Sequence, residues 1–343
     1  MRMNLKQLSA QLGLSQTTVS RALNGYPEVS EHTRIRVQRA AEAGNYRPNA
    51  RASSLATGRA MTIGHVIPVA SQNDVINPIF SEFVAAASKT YSLNGYELLL
   101  KIAPSEDEES TYRTLAAKRA VDGVILHSPK CHDSRIALLK EIGLPFVSHG
   151  RVLDAQMDYS WVDMDSEDAF THATKLLLDL GHQRIALLNG MESMTFAWLR
   201  RQGYLTALAN HGVSVDETLM AANDLTEPYG YQSASRMLAR ADRPSAFLVS
   251  SYIVALGVRR AITEADLIIG KDISVVIHDD ELSYFDNSDD VPQFTSTRSS
   301  VREAGHLAAE MLLEQIENPT KSPVSQMVPT QLVVGASTGP CPN

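Results

Sequence analysis

The chain has two cysteines, no run of eighteen consecutive apolar side chains and no surplus of positive charge over its 343 residues. Each absence removes a class of protein. Cys131 and Cys341 stand far apart with no CxxC spacing, so both read as free thiols, and neither a disulfide framework nor a zinc site is expected. Without a long apolar run there is no candidate membrane helix. The first residues, Met1-Arg2-Met3-Asn4-Leu5-Lys6-Gln7, lead into a polar periodic pattern rather than an apolar signal core, and a cytoplasmic location is the expectation. The G-x-S-x-G, P-loop and H-E-x-x-H patterns are missing as well, so neither an enzyme nor a cofactor is expected.

What is present is 44% hydrophobic and 20% charged residues in a chain too long for one ordinary core, the profile of a soluble protein of two or three packed units. The net charge of -8 is unevenly placed. Residues 1–60 hold nine Lys or Arg against three acids, a local charge of +6, which leaves -14 on the remainder. A small basic head on an acidic body suits phosphate binding: cations that meet phosphates release condensed counterions, while the acidic body is repelled from a duplex.

Within the head, Leu5, Leu8 and Leu12 have helical spacing and Gly13 ends the helix. Ser15 caps a second helix that keeps Val19 and Leu23 on one face and presents Gln16, Thr17, Ser20 and Arg21 in and beside its first turn. Such side chains donate to and accept from base edges in a major groove; a plain helical hairpin with a solvated face has the same spacing. A third helix starts at Ser30, with Ile35, Val37, Ala40 and Ala41 available for packing and Arg34, Arg36 and Arg39 outside that core. Gly44 stops it, and an Ala-rich stretch, Ala50 to Thr57, runs to Gly58; eight residues make no stable helix unless something packs against them.

The run from Leu5 to Gly58, with Thr18-Val19-Ser20-Arg21-Ala22-Leu23-Asn24-Gly25, Val29-Ser30, Thr33-Arg34 and Asn45-Tyr46-Arg47-Pro48-Asn49-Ala50, resembles the DNA-binding head and hinge helix of the lactose-repressor (LacI/GalR) family. The resemblance implies that Gln16, Thr17 and Arg21 read bases and that Thr18, Ser20, Asn24 and Tyr46 contact the backbone. It adds Asn49 and Ser53 to the DNA-contacting set, and the hinge helix carries Leu55 into the minor groove. Two such helices from a dimer would fold against each other on the operator, the paired leucines unstacking a central base step. The implied division is a helix-turn-helix domain at 1–47, a hinge helix and linker at 48–60, and an effector-binding and dimerisation domain at 61–343.

After Arg59, short apolar segments alternate with helices: Thr62 to Val69, Val121 to His127, Pro145 to Ser148, Arg184 to Asn189, Ala246 to Ser250 and Ile273 to Ile277 as strands, Pro78 to Asn94 and Ser166 to Leu180 as helices. That alternation is the mark of doubly wound parallel sheets, and ligands bind such sheets beyond the carboxyl ends of the strands. The resemblance continues through Asn77-Pro78-Ile79-Phe80, Val121-Asp122-Gly123, Gly181-His182-Gln183-Arg184, Arg200-Arg201-Gln202-Gly203-Tyr204, Ala255-Leu256-Gly257 and His278-Asp279-Asp280. The expected fold is an all-α head plus an α/β body of two parallel-sheet lobes of the periplasmic-binding-protein type, the chain exchanging lobes near 160, 290 and 324.

A cleft between the lobes would hold the effector. Arg200 offers a fork of donors and Asp279 two acceptor oxygens, a pairing suited to adjacent sugar hydroxyls, and both match effector contacts of the family. Phe80 is either a ring for the apolar face of a pyranose or an ordinary core aromatic; Arg151 is a cleft residue or a surface arginine; Trp161 lines the cleft or packs a crossover. Asp165 is sufficiently explained as a helix cap. Ser299 stands where relatives often carry a contact. The family's usual Asn-Asp pair before Ala-x-Gly is replaced by Ser251-Tyr252, so the effector cannot be copied from a relative. Of six carboxylates between Asp279 and Asp290, all but Asp279 read as a solvated loop. The expected function is a homodimeric, DNA-binding repressor of carbohydrate-utilisation genes, released from a pseudo-palindromic operator by a sugar such as an α-glucoside or another disaccharide. A purine or other non-sugar effector, or a corepressor, is the alternative; a solute receptor would fit the body but not the basic head.

Overall fold

The computed structural model describes residues 3–23, 25–46, 58–69, 78–104, 107–153, 158–285, 287 and 290–342. The chain divides into two compact units, Met1–Ala60 and Met61–Asn343.

The first unit contains α1 (Leu5–Leu12), α2 (Gln16–Leu23) and α3 (Glu31–Ala43). Each start is fixed by a side chain that satisfies amides with no intrahelical partner. The Asn4 side chain accepts from the Gln7 amide at 2.9 Å while Gln7 accepts from the Asn4 amide at 3.0 Å; Ser15 and Ser30 accept from the amides of Thr18 and Thr33. Gly13 takes the left-handed conformation (φ 64°) that ends α1 and allows α2 to start two residues later. Leu8, Val19, Ala22, Val29, Val37 and Ala41 form the core. Ile35, a packing residue by spacing, is instead 40% exposed; Val37, two positions on, faces inward.

In the second unit two six-stranded sheets form two lobes. β1 (Thr62–Val69), β2 (Glu97–Pro104), β3 (Gly123–His127), β4 (Phe146–His149), β5 (Ser160–Met164) and β11 (Ser325–Val328) lie in the order β11-β5-β4-β3-β1-β2, all parallel. The second sheet runs β12-β10-β9-β8-β6-β7, built from β6 (Ile185–Asn189), β7 (Met220–Ala222), β8 (Ala246–Val249), β9 (Ser274–Asp279), β10 (Thr295–Arg298) and β12 (Gln331–Val333); only β12 is antiparallel to its neighbour. β3, β6, β8 and β9 are buried on both faces, as parallel strands between helical layers must be. The chain crosses between lobes at 164–166, 298–301 and 328–331, four to eight residues beyond the expected points. Among the described residues no helix is long and apolar enough to cross a membrane.

In the first lobe α4 (Pro78–Leu93) packs against the helix after the second crossing, residues 301–317, through Phe83, Ala87, Val301 and Ala308. Between β2 and β4 come α5 (Glu108–Ala117) and α6 (Ser134–Glu141); the second lobe carries α7 (Ser166–Asp179), α8 (Thr195–Asn210), α9 (Glu227–Leu238) and α10 (Tyr252–Glu264), and α11 is Val301–Glu317. The motif residue His182 is structural, its ring bonded to the Ser245 and Ser274 hydroxyls and to the Gly339 carbonyl.

Gly257 has a similarly plain role. A Cβ there would lie 2.1 Å from the Glu227 carbonyl oxygen and 2.5 Å from the Tyr231 nitrogen, and one at Gly230 would lie 2.1 Å from the Val254 carbonyl, so α9 and α10 meet backbone to backbone. Gly257→Ala should therefore destabilise the body by about 1–3 kcal/mol, the range for overpacking, despite alanine's better helix propensity. An unchanged denaturation midpoint would mean that the helices part without cost.

Candidate DNA-reading face and effector cleft

Burying Val19 and Ala22 forces the opposite face of α2 outward: Gln16, Thr17 and Arg21 are exposed, and Thr18 and Ser20 are half-buried. The Thr18 hydroxyl lies 2.8 Å from that of Ser15 and so helps hold the start of α2. Tyr46 packs against the head core, and burial pushes its hydroxyl up from the ordinary value. Asn24, Asn49, Ser53 and Leu55 lie outside the described residues. The basic residues of α3 divide by role. Arg34 reaches the carbonyls of Tyr26 and Val29 and pairs with Glu31 at 3.1 Å, and Arg36 donates to the Leu12 carbonyl, so both tie the head together. Arg21 lies on the exposed face.

In the body, the strand ends of both lobes converge on a cavity of about 110 Å³. The first lobe supplies His149, Arg151 and Asp163 from the ends of β4 and β5; the second supplies Thr195, Phe196 and Arg200 from α8 and Asp280 from the end of β9. Segments 129–131 and 193–195 close one side with a backbone clasp: the Cys131 amide donates to Ser193 and the Thr195 amide to Pro129, each at 3.1 Å, about a bridge between Lys130 and Met194.

Arg200 dominates the electrostatics. It is 4% exposed, flanked by Phe170 and Phe196 with ring centroids at 5.2 and 5.0 Å, and donates from Nη1 to the Ser250 carbonyl at 2.8 Å. Its Nε has no hydrogen-bond partner among the described residues. Burial, opposed by Asp280 and Asp163, lowers the guanidinium to about 10, which leaves it charged at neutral pH. Burial works against the charge on Asp280, but the facing His278 and Arg200 outweigh it and hold that carboxyl below its ordinary value. Arg151 pairs with Asp163 at 3.3 Å and lies 5.7 Å from the centre of the Trp161 ring. Burial pushes Asp163 up to about 6 against the pull of Arg151, and it lowers His149 to about 4, so His149 is a neutral wall. The cavity thus offers fixed donors and acceptors of both signs with no net charge, beside the flat face of Phe196.

Of the residues singled out from sequence, Arg200 and Arg151 line this cavity and the others do not. Asp279 lies beneath it, accepting from the Glu281 amide at 3.0 Å with Arg298 at 3.7 Å; its neighbour Asp280 faces the space, because successive residues of an extended strand point to opposite sides. The solvated-loop reading of the acidic segment is corrected for Asp280, which is buried; Glu281 and Asp290 are exposed, and Asp286 and Asp289 lie outside the described residues. Phe80 packs its edge on His127 at 4.5 Å. Ser251 caps α10, Tyr252 stacks on Phe285 at 5.1 Å, and Ser299 lies against Met164 and His278. Asp165 caps α7, and Trp161 belongs to the first lobe's core. Asp163, Phe196 and His149 were missed; His149 directly follows the strand expected at 145–148 and Phe196 stands one turn before Arg200, whereas no strand was expected around Asp163.

Comparison with known proteins agrees with this architecture. A model of bacterial regulatory proteins of the lacI family matches residues 5–49, and one of a periplasmic binding protein-like domain matches 174–338. The HTH-type transcriptional regulator AglR of Rhizobium meliloti (strain 1021) is 45% identical over 343 residues, 100% of this chain and 96% of its own length. The chain belongs to the LacI family of bacterial regulatory proteins. A lac repressor dimer bound to operator and the anti-inducer ONPF superposes with a TM-score of 0.84 at 28% identity, covering 99% of this chain and all of that one. A complex of the regulator CelR with cellobiose gives 0.72 at 30% identity, covering 98% of this chain and 100% of that one.

As a LacI-family DNA-binding regulator, the protein should respond differently to two arginine changes. Arg21→Ala should weaken DNA binding by about 1–3 kcal/mol and relax base preference at one position. Arg34→Ala should instead lower the stability of the head, by about 1–2 kcal/mol for its lost carbonyl bonds. Anisotropy with labelled DNA and thermal melts of both variants separate the roles; identical behaviour would refute the division.

Proposed function

We propose that this LacI-family regulator is a cytoplasmic homodimeric repressor of carbohydrate-utilisation genes, and that a sugar bound between its lobes releases it from a pseudo-palindromic operator. The observation that carries the sugar reading is the cavity in which Arg200, Asp280 and the Arg151–Asp163 pair are held with balanced charges beside Phe196. Adjacent hydroxyls can bridge a guanidinium or a carboxylate, and the C–H face of a pyranose covers an aromatic ring. The solved complex of CelR with cellobiose supports the same choice, and an α-glucoside or other disaccharide is the favoured class.

The DNA-reading set is Gln16, Thr17 and Arg21 for bases, with Thr18, Ser20, Asn24, Tyr46, Asn49 and Ser53 on the backbone. Leu55 is the minor-groove wedge. The effector changes the angle between the lobes and with it the spacing at which the dimer presents its two hinge segments. The coupling is reciprocal: a sugar that weakens operator binding must itself bind the operator complex more weakly by the same factor.

The test is thermal stability of the purified protein against monosaccharides, disaccharides, sugar phosphates and purines. A ligand at 100 times its dissociation constant stabilises by about 2.7 kcal/mol. A shift with neutral sugars that disappears in Arg200→Ala and Asp280→Asn is expected, and a shift with purines alone would overturn the sugar assignment.

Leu55→Ala should reduce binding to the specific operator more than to random DNA, because a wedge acts only where the duplex is bent. Equal losses on the two DNAs would remove Leu55 from that role.

A further inference from the structure

Base reading by α2 depends on how the turn before it is held. Gln16 and Thr17 stand in the first turn of α2, which follows Leu12, the last residue of α1, after only Gly13, Leu14 and Ser15. A rotation at that turn swings every side chain on the reading face at once. Gly13 is its pliable point: it sits at φ 64°, and a Cβ there would meet nothing within 4 Å, so no packing on that side restrains the most permissive of residues.

The turn is restrained from α3. The amides of Gly13 and Leu14 go to the carbonyls of Ala10 and Ser9. The Leu12 carbonyl, which has no intrahelical partner at the end of α1, accepts from Nη2 of Arg36, 24 residues away in sequence. A cation there also meets the negative end of the α1 dipole. Arg34 serves the other end of α2, where its Nη2 reaches the carbonyls of Tyr26 and Val29 at 3.2 and 3.4 Å. Residues two apart on a helix lie about 200° apart, so the two side chains leave α3 in different directions, one to each turn that flanks α2. They differ in burial. The Arg34 side chain is 26% exposed and belongs to the fabric of the head, whereas Arg36 is an exposed residue beside the turn that sets the first reading residues.

We infer that Arg36 is a positioning residue for base reading: it fixes the turn from which α2 starts, and acts through the direction of Gln16, Thr17 and Arg21 rather than through contact with DNA. The inference rests on α2 as the reading helix and is independent of the effector. The plain alternative for an exposed arginine on a basic head is a phosphate contact, and the two roles are separable. A guanidinium bonded to a carbonyl of its own head releases no counterions, whereas each phosphate contact steepens the fall of log affinity with log salt by about 0.9.

The test is selection of duplexes from a randomised pool by the full chain and by Arg36→Ala, followed by anisotropy titrations, across a salt series, of the duplex best enriched by the unsubstituted chain and of a scrambled duplex. Arg36→Ala is expected to lose about fivefold of the preference for the selected duplex, the worth of one hydrogen bond. Its base preference should flatten at several neighbouring positions, rather than at the one position affected by Arg21→Ala, while affinity for the scrambled duplex and its salt slope stay the same. A loss shared by both duplexes with a slope lower by about 0.9 would make Arg36 a phosphate contact and overturn the inference. An equal loss with an unchanged slope and an unchanged base profile would reduce its role to stability and overturn it too, as would no change on either duplex. Arg36→Lys guards against poor folding of the alanine variant. It keeps the stem and the charge, so a phosphate contact survives it, but one ammonium on a flexible stem holds a turn less firmly than a planar fork, and partial flattening is expected. A lysine variant with an unaltered profile would count against the inference as decisively. Failure of the unsubstituted chain to enrich any duplex would overturn the α2 reading and this inference together.

Discussion

The buried guanidinium of Arg200 is the constraint around which the body is arranged. A cation removed from water must be met by acceptors and counter-charges, and truncating one partner of such a group leaves the other uncompensated. The second lobe meets most of the demand through the Ser250 carbonyl, two aromatic faces and the field of Asp280. The first lobe contributes Asp163 across the cleft. The Arg200 Nε is buried with no hydrogen-bond partner among the described residues, while the side chain as a whole forms part of the cavity wall. The charges that line the cleft are therefore held in place by neighbouring groups of the protein itself.

A cleft can signal only if its lobes move as bodies while staying connected, and the topology supplies both properties. Three crossings join the lobes, and a fourth link comes from the segment after β9. Leu282 leaves the second lobe and buries itself in the core of the first, Phe285 packs against both cores, and the Ser283 amide donates at 2.9 Å to Glu82 on α4, which Arg302 on α11 also holds at 2.6 Å. Asp280 sits at the root of this segment, so the carboxylate that faces the cavity is continuous with the strap that ties the lobes. The cavity wall and the link between the lobes thus share one short stretch of chain.

The sequence makes the head more legible than the cleft, for a physical reason. Three short helices with caps at Asn4, Ser15 and Ser30 fold around their own apolar stripe, so local periodicity is nearly the whole description; Ile35 fails because three residues of similar spacing competed for one inward direction. The lobes were visible as alternating strands and helices, since buried parallel strands are apolar throughout. The cleft is assembled from strand ends far apart in sequence, and its contents depend on register at single-residue resolution. Asp279 and Asp280 are chemically identical and adjacent, and only the end of β9 decides which one faces the ligand. Asp163 carried no local signal at all, because β5 is recognisable as a strand mainly by its pairing with β4 and β11.

The replacement of the family's Asn-Asp pair by Ser251-Tyr252 acquires a meaning that composition alone did not give it. Ser251 turns its hydroxyl to the Ile253 amide as the cap of α10, and Tyr252 lies flat against Phe285, with 19° between the rings, and edge-on to Phe294. Neither is among the residues that line the cavity around Arg200. The Tyr252 ring instead stacks on Phe285, and Phe285 lines a second cavity of about 380 Å³. The two residues therefore serve the start of α10 and the packing of Phe285 rather than the space around Arg200.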